Sequence, residues 1–332
     1  MPLPQDLTFD DLDAIQIEAE ERKPGFVAVR LGLVCSLYIR DPYAPDARAR
    51  LAQCGDQYQQ LFGEHLKSYQ KIDGTGNPIP YPAEGVNLTK YVQENDSLDK
   101  SFAPVFYGDA DYHVASNYGL DIFACSNRPS PIQGKPAHFS AVIPFSWLKD
   151  KDGEQAFQKL VHEWCQILKP FHGYAGIGAI QSMDMTEKKR TSYLAYPLAR
   201  RFPGLEVDDP GVVSNRMWNR GQGLKIKGVN WLTALDNQCL EELGGRDKVL
   251  SQLDNTFVIY DYDGGVLIQA GLTPQLGDVN TQHVPHSYRM LSNIVKPLRM
   301  TFPDGHSLMQ PRTEASNTEV TNAWLARFDD PF

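Results

Sequence analysis

Residues 224–280 read LKIKGVNWLTALDNQCLEELGGRDKVLSQLDNTFVIYDYDGGVLIQAGLTPQLGDVN, and this stretch decides the fold class. Ile226 to Leu235 is apolar and β-leaning. Asp236 stands where a helix N-cap belongs, Cys239, Leu240 and Leu243 follow at helical spacing, and Gly244-Gly245 suits a C-cap. After a polar link, Phe257–Tyr262 and Val266–Ala270 are β-rich runs separated by Asp263-Gly264-Gly265. Asp-Gly between such runs is a strong hairpin signal, because tight hairpin turns need positive φ. The block is therefore strand, helix, hairpin, and it carries no arrangement typical of a catalytic centre.

Downstream, His286–Lys296 reads as a helix with Tyr288, Leu291, Ile294 and Val295 on one side and Pro297 as its stop. Trp324, Leu325 and Phe328 mark a small docked helix near the end. Upstream, Phe202–Val213 reads as a loop and Tyr193–Phe202 as a helix interrupted by Pro197. Glu154–Lys169 is the clearest helix, with Phe157, Leu160, Val161, Trp164, Cys165 and Leu168 on one face. Gly173–Gln181 follows as a strand. Further strands are expected over Phe26–Ile39, Phe102–Tyr107, Tyr112–Cys125 and Ala137–Trp147, and an amphipathic helix over Arg48–Ile72. Strands and helices mix without strict alternation, which predicts an α+β fold of mainly antiparallel sheets with packed helices. One option is two similar lobes, an N-terminal one over 26–190 and a C-terminal one over 191–332 after an acidic segment 1–25, joined between Lys188 and Gly223. The other is one continuous domain.

With 332 residues, 42% hydrophobic and 22% charged, the chain is long enough for a large core and has a globular composition. A formal net charge of −9 argues against non-specific binding to nucleic acid or membrane, which needs clustered Lys and Arg. It favours solubility or a basic protein partner. The five cysteines, Cys35, Cys54, Cys125, Cys165 and Cys239, are widely spaced and form no CxxC pair, so neither a disulfide framework nor a zinc site is expected. The first residues lack the charged and apolar regions of a signal peptide, and no apolar run approaches the roughly 18–20 residues needed to span a bilayer. The expected location is the cytoplasm.

The chain carries few signatures of chemistry. Gly173, Gly176 and Gly178 spell GxxGxG inside an apolar run, which suits close strand packing rather than a dinucleotide turn. No GxxxxGK[ST], HExxH or GxSxG occurs. His283, His286 and Asp278 are candidate metal ligands, but Pro285 disrupts the helix that would aim both rings together. His162 and Glu163 are adjacent on the polar face of the clearest helix and do not converge, while His65 reads as a packed core residue. The acidic groups stand out more. Asp109 and Asp111 (YGDADY), Glu206, Asp208 and Asp209 (LEVDDP), and Asp261 and Asp263 (YDYDGG) occupy expected loops or a hairpin tip beside aromatic or apolar neighbours. Such loops can mimic phosphates and dock onto a basic surface; solvated turns are the plainer reading.

Several ordered segments carry a resemblance over roughly Phe26 to Arg299: LGLVCSLYI, FSAVIPFSWL, LVHEWCQILKPFHGYAGIGAIQS, YPLARRFPGLEVDDP, IKGVNWLTAL, GGVLIQAGLTPQLGDVN and the run to KPLR. Together they resemble the bacterial type VI secretion immunity family of TsiV-type proteins. The resemblance implies a cytoplasmic, non-enzymatic protein without cofactors. It would act as a monomer or dimer that binds a cognate effector toxin, a nuclease, and blocks its active site or access of its substrate. The shared segments are largely apolar scaffold, so the seven acidic residues above are a physical reading of the toxin-binding face and are not carried over from the family. Two alternatives compete: an adaptor or chaperone that loads an effector, and a metal-assisted hydrolase using His283, His286 and Asp278.

Overall fold

The computed structural model describes residues 8–95, 97–149, 153–219, 223–312 and 314–329. Its centre is a 12-stranded sheet. The strands are β1 Gln16–Glu18, β2 Val27–Ile39, β3 Ser68–Tyr69, β4 Ile79–Pro80, β5 Val105–Tyr107, β6 Gly119–Phe123, β7 Ala137–Ile143 and β8 His172–Gln181. They continue with β9 Glu206–Val207, β10 Leu232–Asp236, β11 Phe257–Tyr262 and β12 Gly265–Ala270. In space the order is β11-β12-β10-β8-β2-β7-β6-β5-β3-β4, with β1 beside β2 and β9 beside β8. All pairs are antiparallel except β8 with β9. The fold is α+β, and strands from both sides of residue 190 share the sheet through the β8–β10 ladder.

β2 sits at the middle because its sequence suits burial on both faces: every residue from Val27 to Ile39 except Arg30 is buried. Alternation along the strand then makes two different faces. Leu33, Cys35 and Leu37 join the main core with α1 (Ala47–Phe62) and α2 (Glu154–Leu168). Phe139, the cross-strand partner of Leu37, meets Trp164 of α2 with ring centroids 4.9 Å apart. The intervening residues Val34, Ser36 and Tyr38 look the other way. There Ser36 is flanked by Ser140 on β7 and Tyr174 on β8, so this second face is polar. Segments 182–219 and 223–230 and helices of the C-terminal region cover it, including α3 (Pro210–Met217), α4 (His286–Val295) and α5 (Asn317–Leu325).

The deciding stretch folds largely as its pattern dictates. Asp236 accepts the Cys239 N–H at 2.7 Å as an N-cap, and β11 and β12 form a hairpin whose two-residue turn is Asp263–Gly264, with Gly264 at φ +96°. The strand expected from Ile226 begins only at Leu232, because Lys227 and Asn230 turn into a buried polar cluster. The helix expected to Ile72 stops at Phe62, and a short 3-10 turn at Gly63 leads into β3. Residues 202–213 are more ordered than a loop. They hold β9 and the start of α3, where the Asp209 side chain caps the Val212 N–H at 3.1 Å and Pro210 opens the helix. No helix among the described residues is long and apolar enough to cross a membrane.

The β8 glycines are there for contact. A Cβ on Gly178 would lie 2.5 Å from Val34 Cγ1 and 2.7 Å from Cγ2, and Val34 is itself buried on the same face. Gly178→Ala is expected to destabilise the protein by about 1–3 kcal/mol through overpacking, with an unchanged m-value in urea unfolding. An alanine variant as stable as the parent would show that the β2–β8 pair yields freely.

Candidate functional site

On the polar sheet face one cation organises the neighbouring groups. Lys227 has a side chain only 3% exposed, and its Nζ lies 2.7 Å from Glu206 Oε1 and 3.2 Å from Asp208 Oδ1. It also donates to the Val207 carbonyl at 2.7 Å and the Tyr174 hydroxyl at 3.2 Å. The parallel pairing of β9 with the far end of β8 brings both acids here. Tyr174 donates to Asp208 at 2.5 Å, which leaves the Tyr174 oxygen to accept from Lys227 and from Tyr38, 2.8 Å away. Ser36 donates to the other Asp208 oxygen and takes a bond from Ser140 at 2.7 Å. Burial opposes the Asp208 charge, but the Lys227 ammonium and these hydroxyls outweigh it and hold its carboxyl below the ordinary range. Burial, reinforced by Asp208, keeps the Tyr174 phenol protonated. Glu206 also accepts from Asn230 at 3.0 Å, with Arg327 at 3.8 Å.

The seven acidic residues therefore divide. Glu206, 2% exposed, and Asp208 point inward to Lys227; in this structure Glu206 is out of a partner's reach. Asp209 is half-buried and caps α3. Asp109 and Asp111 are half-buried after β5. Burial opposes the Asp111 charge, yet bonds from Lys23 and His113 bring its carboxyl down to about 2. Asp261 and Asp263 are the open pair, with side chains 69% and 74% exposed, paired with Arg246 and Lys169 respectively. The hairpin tip lies on the first strand of the sheet order and β5 on the eighth, so these clusters are on the order of 30 Å apart at normal strand spacing. They do not form one site.

The candidate metal ligands do not converge. Asp278 is fully buried and bonded to Arg201 at 2.9 Å, whereas His283 and His286 are exposed. Among the described residues no group of three or more His, Cys, Asp or Glu is placed to hold a metal ion. His162, expected on a solvated helix face, instead ties that helix to the hairpin. Together with Gln166 it meets the Asp261 carbonyl, at 2.8 and 2.9 Å. His65 is half-exposed and stacks on Tyr118. Sequence reasoning missed Lys227 itself, although a lysine inside the apolar run IKGVNWLTAL was the available signal.

The polar face makes stability sensitive to one charge and to pH. Lys227→Met strands two buried carboxylates and is expected to cost about 3–5 kcal/mol in urea unfolding; a loss under 1 kcal/mol would mean the acids find other partners. His172, buried on the same face with Nδ1 3.2 Å from the Ala234 carbonyl, is pushed by burial from 6.5 to about 3 and stays neutral. Between these values the unfolded chain takes up a proton that the native one refuses, so stability falls as pH drops from 6.5 towards 4. His172→Gln should flatten the fall of melting temperature across that window, and an unaltered slope would count against this account.

Comparison with known proteins adds identity to this geometry. No curated protein matches the chain at a significant level. Among solved structures, the Pseudomonas aeruginosa T6SS protein PA0821 superposes with a TM-score of 0.81 at 23% identity, over 95% of this chain and 87% of that one, a likeness of fold. The family model TsiV, described as type VI immunity for VRR-NUC, matches residues 50–328, and the chain belongs to that family.

Proposed function

We propose that this protein binds a cognate VRR-NUC nuclease effector and neutralises it as a stoichiometric inhibitor, without turnover, by covering the active site or the path of the nucleic acid. The observation that carries the reading is the family match across residues 50–328. The surface chemistry supports it. A nuclease presents cationic groups to a polyanion, and a chain of net charge −9 is steered towards such a surface and competes with the substrate for it. The exposed carboxylates best placed for this are Asp261 and Asp263 at the hairpin tip, with the half-buried Asp109 and Asp111 as a separate acidic loop. Glu206 and Asp208 serve the interior instead, by holding the cover to the sheet.

Co-expression with the effector tests the reading. Survival of the cells, recovery of a stable complex and loss of DNA cleavage at equimolar protein are the expected results. Survival without a complex would point to an enzymatic antidote. No protection, with effector secretion failing when the protein is deleted, would make it a loading adaptor. Within the immunity reading, Asp261→Lys with Asp263→Lys is expected to slow association about tenfold at low salt and to flatten its salt dependence. Unchanged association would remove the hairpin tip from the docking face.

A further inference from the structure

A cleft of about 260 Å³ on the cover over the polar sheet face is lined by three cationic side chains, Lys188, Lys189 and Arg216, against one carboxylate, Asp209. Met185, Lys189, Val212, Arg216, His306 and Leu308 are among the residues lining it. Lys188 stands at its wall too, but faces the Asp121 and Asp208 carboxylates across a neighbouring slot. Lys189 and Arg216 have no ion-pair or hydrogen-bond partner for their side chains among the described residues. The lining carboxylate, Asp209, is turned to the Val212 N–H. Two cations without an ion-pair partner thus line one cleft in a chain whose formal charge is −9.

Two exposed apolar side chains belong to the same cover. Met185, on the cleft wall, is 74% exposed. Trp218, two residues beyond Arg216, is also exposed and reaches the Gly134 turn, where Ile132 is exposed as well. Arg and Met on a concave wall, with a partly exposed Trp nearby, are residue types enriched in interface cores. The formal charge of −9 disfavours a long polyanion, whereas a short acidic peptide segment with an apolar flank meets the cations and Met185 of the cleft wall.

We infer that this cleft is a second docking surface, and that its occupant is an acidic segment of the effector carrying an apolar side chain. The inference rests on the immunity reading and deepens it. The complex would then be held at two points of opposite polarity, the carboxylates of the hairpin tip and the cations of the cleft. Such a pairing rejects partners that match only one of them.

The test uses the full chain and a catalytically inactivated form of its VRR-NUC effector. The double variant Lys189→Glu with Arg216→Glu is expected to raise Kd at least tenfold while melting like the parent. In parallel, hydrogen exchange on the unaltered complex should show protection of residues 185–189 and 305–310, a readout that does not depend on the variant folding. An unaltered protein that fails to bind the effector overturns the immunity reading itself. Binding with no protection of these segments, and an unchanged Kd for the double variant, overturns the cleft alone. Protection that appears in the free protein as its own concentration rises would assign the cleft to a second copy and also overturn the proposal.

Discussion

Burying the Lys227 ammonium between Glu206 and Asp208 is the constraint from which much of the rest follows. A charge moved out of water is costly, and only close, well-hydrogen-bonded counter-charges offset it. Lys227 satisfies that condition with a carboxylate on each side, a carbonyl and a phenol. The groups that meet it come from β8, from the strand-and-helix segment around residue 206 and from the irregular run before β10. A displaced segment would leave unpaired charge in the interior, so the cluster fixes how the cover sits on the sheet more than it adds to stability. An apolar interface of the same area would tolerate sliding; this one does not.

The two faces of the sheet therefore differ in kind. The face towards α1 and α2 is a conventional apolar core, built from alternate residues of β2, β7 and β8 against Leu51, Tyr58, Phe157 and Trp164. The opposite face is wired by directed bonds through Ser36, Tyr38, Ser140 and Tyr174. The stoichiometric inhibition proposed above calls for a stiff surface. A directed network beneath the cover supplies stiffness, because each hydroxyl has its donors and acceptors assigned.

Much of this was legible in the chain. The apolar run Val27–Ile39, the helix Glu154–Leu168 and the Asp263-Gly264 turn each combine pattern with local chemistry, and each folds close to its expected limits. The α+β class followed from them. What was not legible depends on partners distant in sequence. LEVDDP reads as a solvated acidic loop because nothing local announces that Lys227 will stand 2.7 Å from Glu206. Likewise, the burial of Asp278 against Arg201 and the bond from His162 to the Asp261 carbonyl are products of tertiary packing. Charge by itself says where a side chain is soluble; only the fold says whether its charge is already matched.

The ends of the sheet carry one more consequence. A long antiparallel sheet offers bare backbone at each edge strand, where another chain can add on and propagate into aggregates. Here one edge is the two-residue β4, where Pro80 has no amide to donate. At the other, the ring of His162 and the amide of Gln166 occupy the Asp261 carbonyl beside the hairpin turn. Each end of the sheet thus carries a local feature that opposes edge-to-edge pairing.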